Sequence, residues 1–572
     1  MSGRAENHPP MKLNGAQILK TLLERQGIRI LSGIPGGPIL PFYDVLQGSS
    51  IQHILARHEQ GGGFIAQGMA RVTGKAAVCL ATSGPGVTNL LTAIADARLD
   101  SIPLVAITAQ VPQALIGTDA FQEVDTYGLT LPITKHNFLV RSVRELLEVI
   151  PLAFTLAESG RPGPVAVDIP KDVFLATEED VSWPAPGGRT PTARAEDEPI
   201  DHLARLIRGA RRPVLYLGGG IVHSGASMLA RRLSESQDMP AVATLMALGT
   251  LSPEHPLFMG MLGMHGTRAT NTLLEEADLL LAVGARFDDR ATGKVAEFCP
   301  RATIAHVDID PAEIGKIKRP FHSIVADAGD VLGRLLERLA PTPRPEWSTR
   351  ARELRSRHPV YAPPRTEDPL HPVNLCRLLG EILPDDAIVT TDVGQHQMWV
   401  AQSYPVRRPR TLLTSGGLGT MGFGLPAAIG AALAAPGRRV ACVSGDGSIL
   451  MNIQELATLA EHDLPVAVLI MNNAQLGLVR QQQELFYGRN FSASHFHAVP
   501  DFAALARSFG LPGVRIEPGK DALARLREAL AHSGPIVIDI PIHDGANVLP
   551  MVPPGAPNRV MIDEREPALT PA

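Results

Sequence analysis

A chain of 572 residues has room for several domains, each with a buried core. Its 45% hydrophobic and 19% charged residues give an ordinary globular balance. A net charge of −5 excludes a basic field aimed at nucleic acid, and 4% aromatic residues disfavour a stacking surface for single strands.

The chain opens with MSGRAENHPPMKLNG, which lacks the apolar stretch of a secretory signal, and no later run approaches the ~18 apolar residues of a membrane span. Cys79, Cys299, Cys376 and Cys442 are too sparse for a disulfide framework or a zinc site. They fit a reducing compartment, so a cytoplasmic location is expected. Short apolar runs then recur: AAVCLATSGPG (76–86), PLVAIT (103–108) and PVAVDIP (164–170) come first. PVLYLGGG (213–220), LLLAVGA (279–285) and IAHVDID (304–310) follow, and AIVTTDVG (387–394), RVACVSGDG (439–447), PVAVLIMNN (465–473) and PIVIDIP (535–541) close the series. Their hydrophobicity is continuous rather than alternating, which marks strands buried on both faces and hence parallel sheets. Helix-like stretches lie between them, so the fold class is α/β, with doubly wound parallel sheets.

Residues 177–199 and 341–369 are rich in proline and charge and read as connections between domains. The expected division is an N-terminal domain over 1–180, a central domain over 200–340, a C-terminal domain over 370–550 and a tail over 551–572. GPVAVDIP (163–170) is echoed by GPIVIDIP (534–541), and CLATSGPG by CVSGDG. The first and third domains therefore read as diverged copies.

Asp446, in SGDG, ends one predicted strand, and Asn472-Asn473 ends the next. Ligands of doubly wound sheets collect at such carboxyl ends. The segment from Ser448 to Asp463 is expected to be a helix starting beside Asp446, with an N-terminus that favours phosphate. An aspartate and an asparagine oxygen there suit Mg²⁺, with Gly447 admitting the phosphate closely. Asp-Gly alone is also ordinary turn chemistry. GDG, then 24 residues, then NN, in strand–helix–strand order, is far more specific.

That spacing resembles the signature of thiamine diphosphate enzymes. Most of the chain is similar to the catalytic subunit of the acetohydroxyacid (acetolactate) synthase family, particularly the isozyme I type of enteric bacteria. The stretches that carry the likeness include GIPGGPILPFYD, RHEQGGGFIAQGMAR, SGPGVTNL, DAFQEVDTYG and SGRPGPVAVDIPKDV. GMLGMHGTRATN, GARFDDR, TTDVGQHQMW, GGLGTMGFGLPAAIGAAL and NNAQLGLVRQQQELFYG extend it through the rest of the chain.

The resemblance implies an enzyme that decarboxylates pyruvate and ligates the two-carbon unit to pyruvate or 2-oxobutyrate, in valine, leucine and isoleucine biosynthesis. It implies three cofactors: thiamine diphosphate, Mg²⁺ and a structural FAD. It also implies a homodimer or homotetramer with sites shared between chains, and a small regulatory subunit. Glu59 matches the glutamate that hydrogen-bonds the aminopyrimidine; alone, it also reads as a helix cap. Gln395, His396, Gly419, Met421, Gly447 and Ser448 match thiamine diphosphate contacts, and Asp446 and Asn473 the metal ligands. Phe121, Gln122, Lys171, Met264 and Arg290 match other active-site positions. Arg290 would hold the acceptor carboxylate, although spacing alone also allows a surface ion pair with Asp288 or Asp289.

The middle domain resembles the family's FAD domain at Arg161, Gly219, Thr244, Leu245, His265, Gly284, Arg286, Asp308, Ile309 and Asp327. Its LGGG does not complete GxGxxG. Gln482 stands where many members have tryptophan, which implies weaker discrimination between pyruvate and 2-oxobutyrate. Ala109 replaces a usual glycine. A pyruvate oxidase or a 2-oxo acid decarboxylase is the alternative reading.

Overall fold

The computed structural model describes residues 12–192, 194–361 and 366–563. Residues 1–11 of the stretch read for a secretory signal lie outside them, as does the tail beyond 563. Three six-stranded sheets carry the fold, and every pairing within them is parallel.

The first sheet contains β1 (Ile30–Gly33), β2 (Gln52–Leu55), β3 (Ala77–Ala81), β4 (Leu104–Gln110), β5 (His136–Leu139) and β6 (Pro164–Pro170). The second contains β7 (Pro213–Leu217), β8 (Ala241–Ala243), β9 (Phe258–Met261), β10 (Leu279–Val283), β11 (Thr303–Asp308) and β12 (His322–Val325). The third contains β13 (Ile388–Thr391), β14 (Leu412–Leu413), β15 (Val440–Gly445), β16 (Val466–Asn472), β17 (Gly513–Arg515) and β18 (Ile536–Pro541). Every residue of β4 and β6 is buried, as is every residue of β15, which explains their unbroken apolar sequence.

Strand order separates the sheets into two kinds. The first runs β2-β1-β3-β4-β6-β5 and the third β14-β13-β15-β16-β18-β17, which is 2-1-3-4-6-5 in both. The second runs β9-β8-β7-β10-β11-β12, or 3-2-1-4-5-6, the order of dinucleotide-binding sheets. The echo between the first and third domains is thus matched by topology.

By packing, the chain divides into two units, one holding the first sheet and the other the second and third. In the latter, one hydrophobic cluster runs from Ile200 to Val548. Two local expectations change. Residues 341–369 contain a helix, Pro345–Arg357, rather than only a connection. Trp347, Ala351 and Leu354 form its buried face, and Trp347 Nε1 donates to the Pro213 carbonyl at 2.9 Å. The single helix expected from Ser448 to Asp463 is instead two, Asp446–Ile449 and Glu455–Glu461. Asn452 lies between them. Its Nδ2 donates to the Gly422 carbonyl at 2.8 Å and its Oδ1 accepts from Gln454 Nε2 at 3.0 Å, so its side chain serves contacts outside a helix.

Candidate functional site

In the third sheet the strand order reverses direction between β13 and β15, where a crevice is expected at the carboxyl ends. A cavity of ≈ 190 Å³ lies there, lined among others by Gln395, His396, Gly419, Met421, Asp446 and Asn473. Gly447, Ser448 and Trp399 also line it. The structure therefore brings together every third-domain residue expected to hold thiamine diphosphate or metal.

Asp446 is only 2% exposed. Its Oδ1 accepts from Gly447 N at 3.0 Å and its Oδ2 from Gln475 N at 3.2 Å. Burial pushes its carboxyl up to about 6, against the lowering effect of these backbone bonds. Such a carboxylate is stabilised by a cation. Among the described residues, no three His, Cys, Asp or Glu side chains cluster as metal ligands. An ion at Asp446 would thus draw on amide, carbonyl and phosphate oxygens, which is Mg²⁺ chemistry.

Gln395 Oε1 and His396 Nε2 are buried in the cavity region without a hydrogen-bond partner. Unpaired buried polar atoms are costly, and a bound group would supply the partners these two lack. Burial holds His396 down to about 3, so it meets a ligand as a neutral imidazole. Ser448 donates its hydroxyl to the Val393 carbonyl at 2.8 Å, which leaves its oxygen lone pairs and backbone for any ligand. A Cβ on Gly477 would stand 2.1 Å from Gln395 Oε1, so a larger residue there would displace the Gln395 amide.

Asp392, Gln475 and Asn472 were not among the expected site residues. Asp392 Oδ1 accepts from Gly424 N at 2.8 Å and its Oδ2 from Ser444 Oγ at 2.5 Å. It thereby ties the Gly-rich loop to the ends of β13 and β15. A second aspartate closing a strand, in TTDVG, was the available signal. Gln475 is buried and binds Asp446, but its sequence context, NNAQLG, carries no such mark.

In the first domain, Glu59 is the first residue of the helix Glu59–Thr73, and the His58 side chain provides the cap by accepting from Gln60 N. Glu59 is therefore not the cap. Its Oε2 accepts from Asn89 Nδ2 at 3.0 Å, on the helix Pro85–Leu99. Gln122 adopts φ = 60°, and its backbone packs on Gly84, where a Cβ would come within 2.8 Å of the Gln122 carbonyl oxygen. Phe121 beside it is 89% exposed. Lys171 starts the helix Lys171–Leu175 directly after β6.

In the second domain, Arg290 Nη1 lies 3.1 Å from Met264 Sδ, and Met264 N donates to the Arg290 carbonyl at 2.8 Å. The alternative ion pair exists too, Arg290 Nε to Asp289 at 3.7 Å, but both side chains are exposed and the pair is weak. Gln482 faces a separate, wider cleft of ≈ 580 Å³ with Val479, Phe486 and Tyr487; Val479 lines both.

The residues expected to hold FAD fall mostly at the carboxyl edge of the second sheet. Gly219 follows β7, Thr244 and Leu245 follow β8, Gly284 and Arg286 follow β10, and Asp308 ends β11 before Ile309. β7 and β10 flank the point where this sheet's order reverses. There Gly220 packs on Gly284 so closely that a Cβ on Gly220 would stand 2.6 Å from the Gly284 Cα. The Thr244 hydroxyl and His265 Nδ1 are buried without a partner, and burial lowers His265 to about 4. Asp327 caps the helix Ala328–Arg338. Arg161 belongs to the first unit, where its Nε donates to Ser101 Oγ at 2.8 Å.

The chain matches three thiamine pyrophosphate enzyme families in succession: the N-terminal TPP binding domain over residues 13–129, the central domain over 200–335 and the C-terminal TPP binding domain over 392–540. It is 55% identical to the acetolactate synthase isozyme 1 large subunit of Escherichia coli K12, over 97% of this chain and 98% of that one. It is 47% identical to the acetolactate synthase large subunit of Parasynechococcus marenigrum, over 98% of this chain and 92% of that one. It is 45% identical to the isozyme 2 large subunit of Escherichia coli K12, over 96% of this chain and all of that one. The cavity at the third sheet and this full-length likeness agree: the chain is a thiamine diphosphate-dependent enzyme and belongs to the acetolactate synthase large-subunit family.

Proposed function

We propose that the protein is the catalytic subunit of an acetolactate synthase. It joins two pyruvates into 2-acetolactate with release of CO₂, or pyruvate and 2-oxobutyrate into 2-aceto-2-hydroxybutyrate, in branched-chain amino acid synthesis. The observation that carries this reading is the third-sheet cavity, where Asp446, Asn473, Gln395 and His396 converge.

Thiamine diphosphate, when bound, supplies the nucleophilic carbon and the electron sink that 2-oxo acid decarboxylation requires. Asp446 and Asn473 would hold Mg²⁺ against its diphosphate, with Gln395 and His396 beside the same group. Gly419 and Met421 position the pyrimidine. Glu59, with Oε2 held by Asn89, offers Oε1 to share a proton with the aminopyrimidine ring. Arg290 holds the acceptor carboxylate; the Met264 sulfur beside it gives that subsite an apolar wall against water and protons. Gln122, Phe121 and Lys171 serve the substrate from the first domain of another protomer.

The second domain holds FAD as a structural group. Its strand order, its glycine pair at the reversal point and its unpaired Thr244 and His265 atoms support that reading. Gln482, shorter than an indole, discriminates weakly between the two acceptors. The enzyme works as a homodimer or homotetramer with sites shared between protomers. A small regulatory subunit accompanies it, in keeping with relatives named as large subunits. Among the described residues, no helix is long and apolar enough to cross a membrane, and we place the enzyme in the cytoplasm.

The test is a pyruvate assay that resolves acetolactate from acetaldehyde and acetate, with and without thiamine diphosphate and Mg²⁺. Acetolactate as the main, cofactor-dependent product is expected. Acetaldehyde or acetate in its place overturns the reading in favour of a decarboxylase or an oxidase.

A further inference from the structure

The fourth strand of each repeated sheet leads into a loop that bears proposed reaction residues. After β4 the chain runs through Val111 to Phe121 and Gln122; after β16 it turns at once to Asn473. Each strand closes on a side-chain amide, Gln110 in one and Asn472 in the other. Their positions are equivalent. Thr108 pairs with Asp168 across β4 and β6, and Ile470 with Asp539 across β16 and β18, so each amide residue stands two places beyond the partner of an aspartate.

The two aspartates are buried, at 2% and 0% exposure, and each receives that amide. Gln110 Nε2 donates to Asp168 Oδ2 at 3.2 Å and also to the Val124 carbonyl at 2.9 Å, on the loop itself. Gln110 Oε1 accepts from Val111 N at 2.9 Å. Asn472 Nδ2 donates to Asp539 Oδ1 at 3.0 Å. A buried carboxylate with a directed acceptor restricts an amide to few orientations, because losing the bond leaves both groups unpaired.

We propose that Asp168–Gln110 and Asp539–Asn472 are one positioning device kept in both copies, each fixing the exit of the fourth strand and thereby the reaction residues on the loop beyond it. In the third domain it sets Asn473 for the metal. In the first it sets Gln122 and Phe121 for the substrate. The inference rests on the roles given above to Asn473 and Gln122.

Two variants of the full-length protein test it by their contrast, Asn472→Leu and Gln110→Met, each deleting the amide and nearly keeping the volume. Mg²⁺ is titrated into protein with saturating thiamine diphosphate, and binding is read from the fluorescence of Trp399, which lines the cavity, and from the shift in Tm. Asn472→Leu should raise the Mg²⁺ half-saturation about 10-fold or more, with turnover restored at high Mg²⁺, as for residues that orient metal ligands. Gln110→Met should leave Mg²⁺ half-saturation within about twofold, while its ratio of acetolactate to acetaldehyde falls about fivefold, a loss of roughly 1 kcal/mol in partitioning. Parallel losses of both readouts in both variants, tracking Tm, overturn the proposal, because that is what a general packing defect gives. Two unchanged variants overturn it as well. If the parent protein saturates with thiamine diphosphate in the presence of EDTA, the site reading itself fails, and the proposal with it.

Discussion

The first and third sheets share a strand order and a buried aspartate at the same register, yet their helix starts are built for different tasks. After the third strand of the first sheet the chain reads Ser83-Gly84-Pro85-Gly86; that of the third ends in Ser444-Gly445 and continues into Asp446-Gly447. In both, the first glycine is the cap and the next residue opens a helix. Proline there starts a 15-residue helix that carries Asn89 toward Glu59. Aspartate there starts one of only four residues, and its carboxylate turns to the cavity. On the function proposed above, one scaffold presents a proton-handling carboxylate, Glu59, in one copy and a metal-holding carboxylate, Asp446, in the other. The difference lies in which loop carries the acid, not in the sheet.

Neutralising each acid separately should separate the two tasks most clearly. Glu59→Gln should lower kcat by about 10²- to 10⁴-fold, the range of a lost acid–base group. The cofactor-induced Tm shift and the Mg²⁺ titration should stay near those of the parent. A full kcat in the Glu59→Gln variant would remove Glu59 from the chemistry.

Asp446→Asn should do the reverse, weakening Mg²⁺-dependent cofactor binding by about 10- to 100-fold. It should also change the cofactor-free protein. Asp446 is raised from 3.8 to about 6 by burial. A raised carboxyl contributes stability that is whole below the unfolded value and lost as pH climbs through the folded one. The cofactor-free parent should therefore lose Tm between pH 4 and pH 7, and Asp446→Asn should lose less. Equal slopes in thermal melts across that range would show that Asp446 is not strained by its surroundings.

The strands and the Asp446–Asn473 spacing were legible in the sequence because each is local: an apolar run, a strand end, a fixed interval. The strand orders were not, because parallel pairing joins residues far apart along the chain, as Thr108 and Asp168 are. The helix expected after Asp446 differs from the observed pair for a related reason. Its apolar periodicity is sound, but Asn452 bonds to Gly422, a partner remote in sequence. Asp392 is marked in the sequence as an aspartate closing a strand, but that mark does not name the loop it holds. The motif around Glu59 is local, whereas its partner Asn89 is set by the packing of two helices.

A milder change targets the partner that distinguishes the duplicated aspartates. Asp539 is paired with Arg515 Nη1 at 2.5 Å, whereas the neutral groups Thr108 and Gln110 face Asp168, and the nearby charge, Asp125, has the wrong sign. Arg515→Leu should leave Asp539 a buried acid without its cation. Asn472 would then be held by a group that protonates more readily, and the Mg²⁺ half-saturation should rise about two- to fivefold, most visibly at low pH, a smaller effect than deleting the amide. A Mg²⁺ titration unchanged at both pH 6 and pH 8 would show that Arg515 serves only the surface.

The smallest expected effect comes from grafting that cation into the first copy. Leu139 pairs with Asp168 across the sheet as Arg515 pairs with Asp539, so Leu139→Arg places a guanidinium at the equivalent register. Burial raises Asp168 from 3.8 to about 7, which makes its contribution to stability whole below about pH 4 and progressively lost as pH rises through 7. An arginine at this position favours the charged form and draws that value down. The half-exposed position lets solvent screen the pair, so the gain at pH 8 should be about 1 kcal/mol or less. Thermal melts from pH 5 to pH 8 should show a shallower decline for Leu139→Arg than for the parent, and a shallower decline also for Asp168→Asn, which has no charge to lose. If Leu139→Arg follows the parent curve while Asp168→Asn departs from it, the aspartate titrates but the register does not bring the new cation to it. The two copies would then differ by more than this one pair.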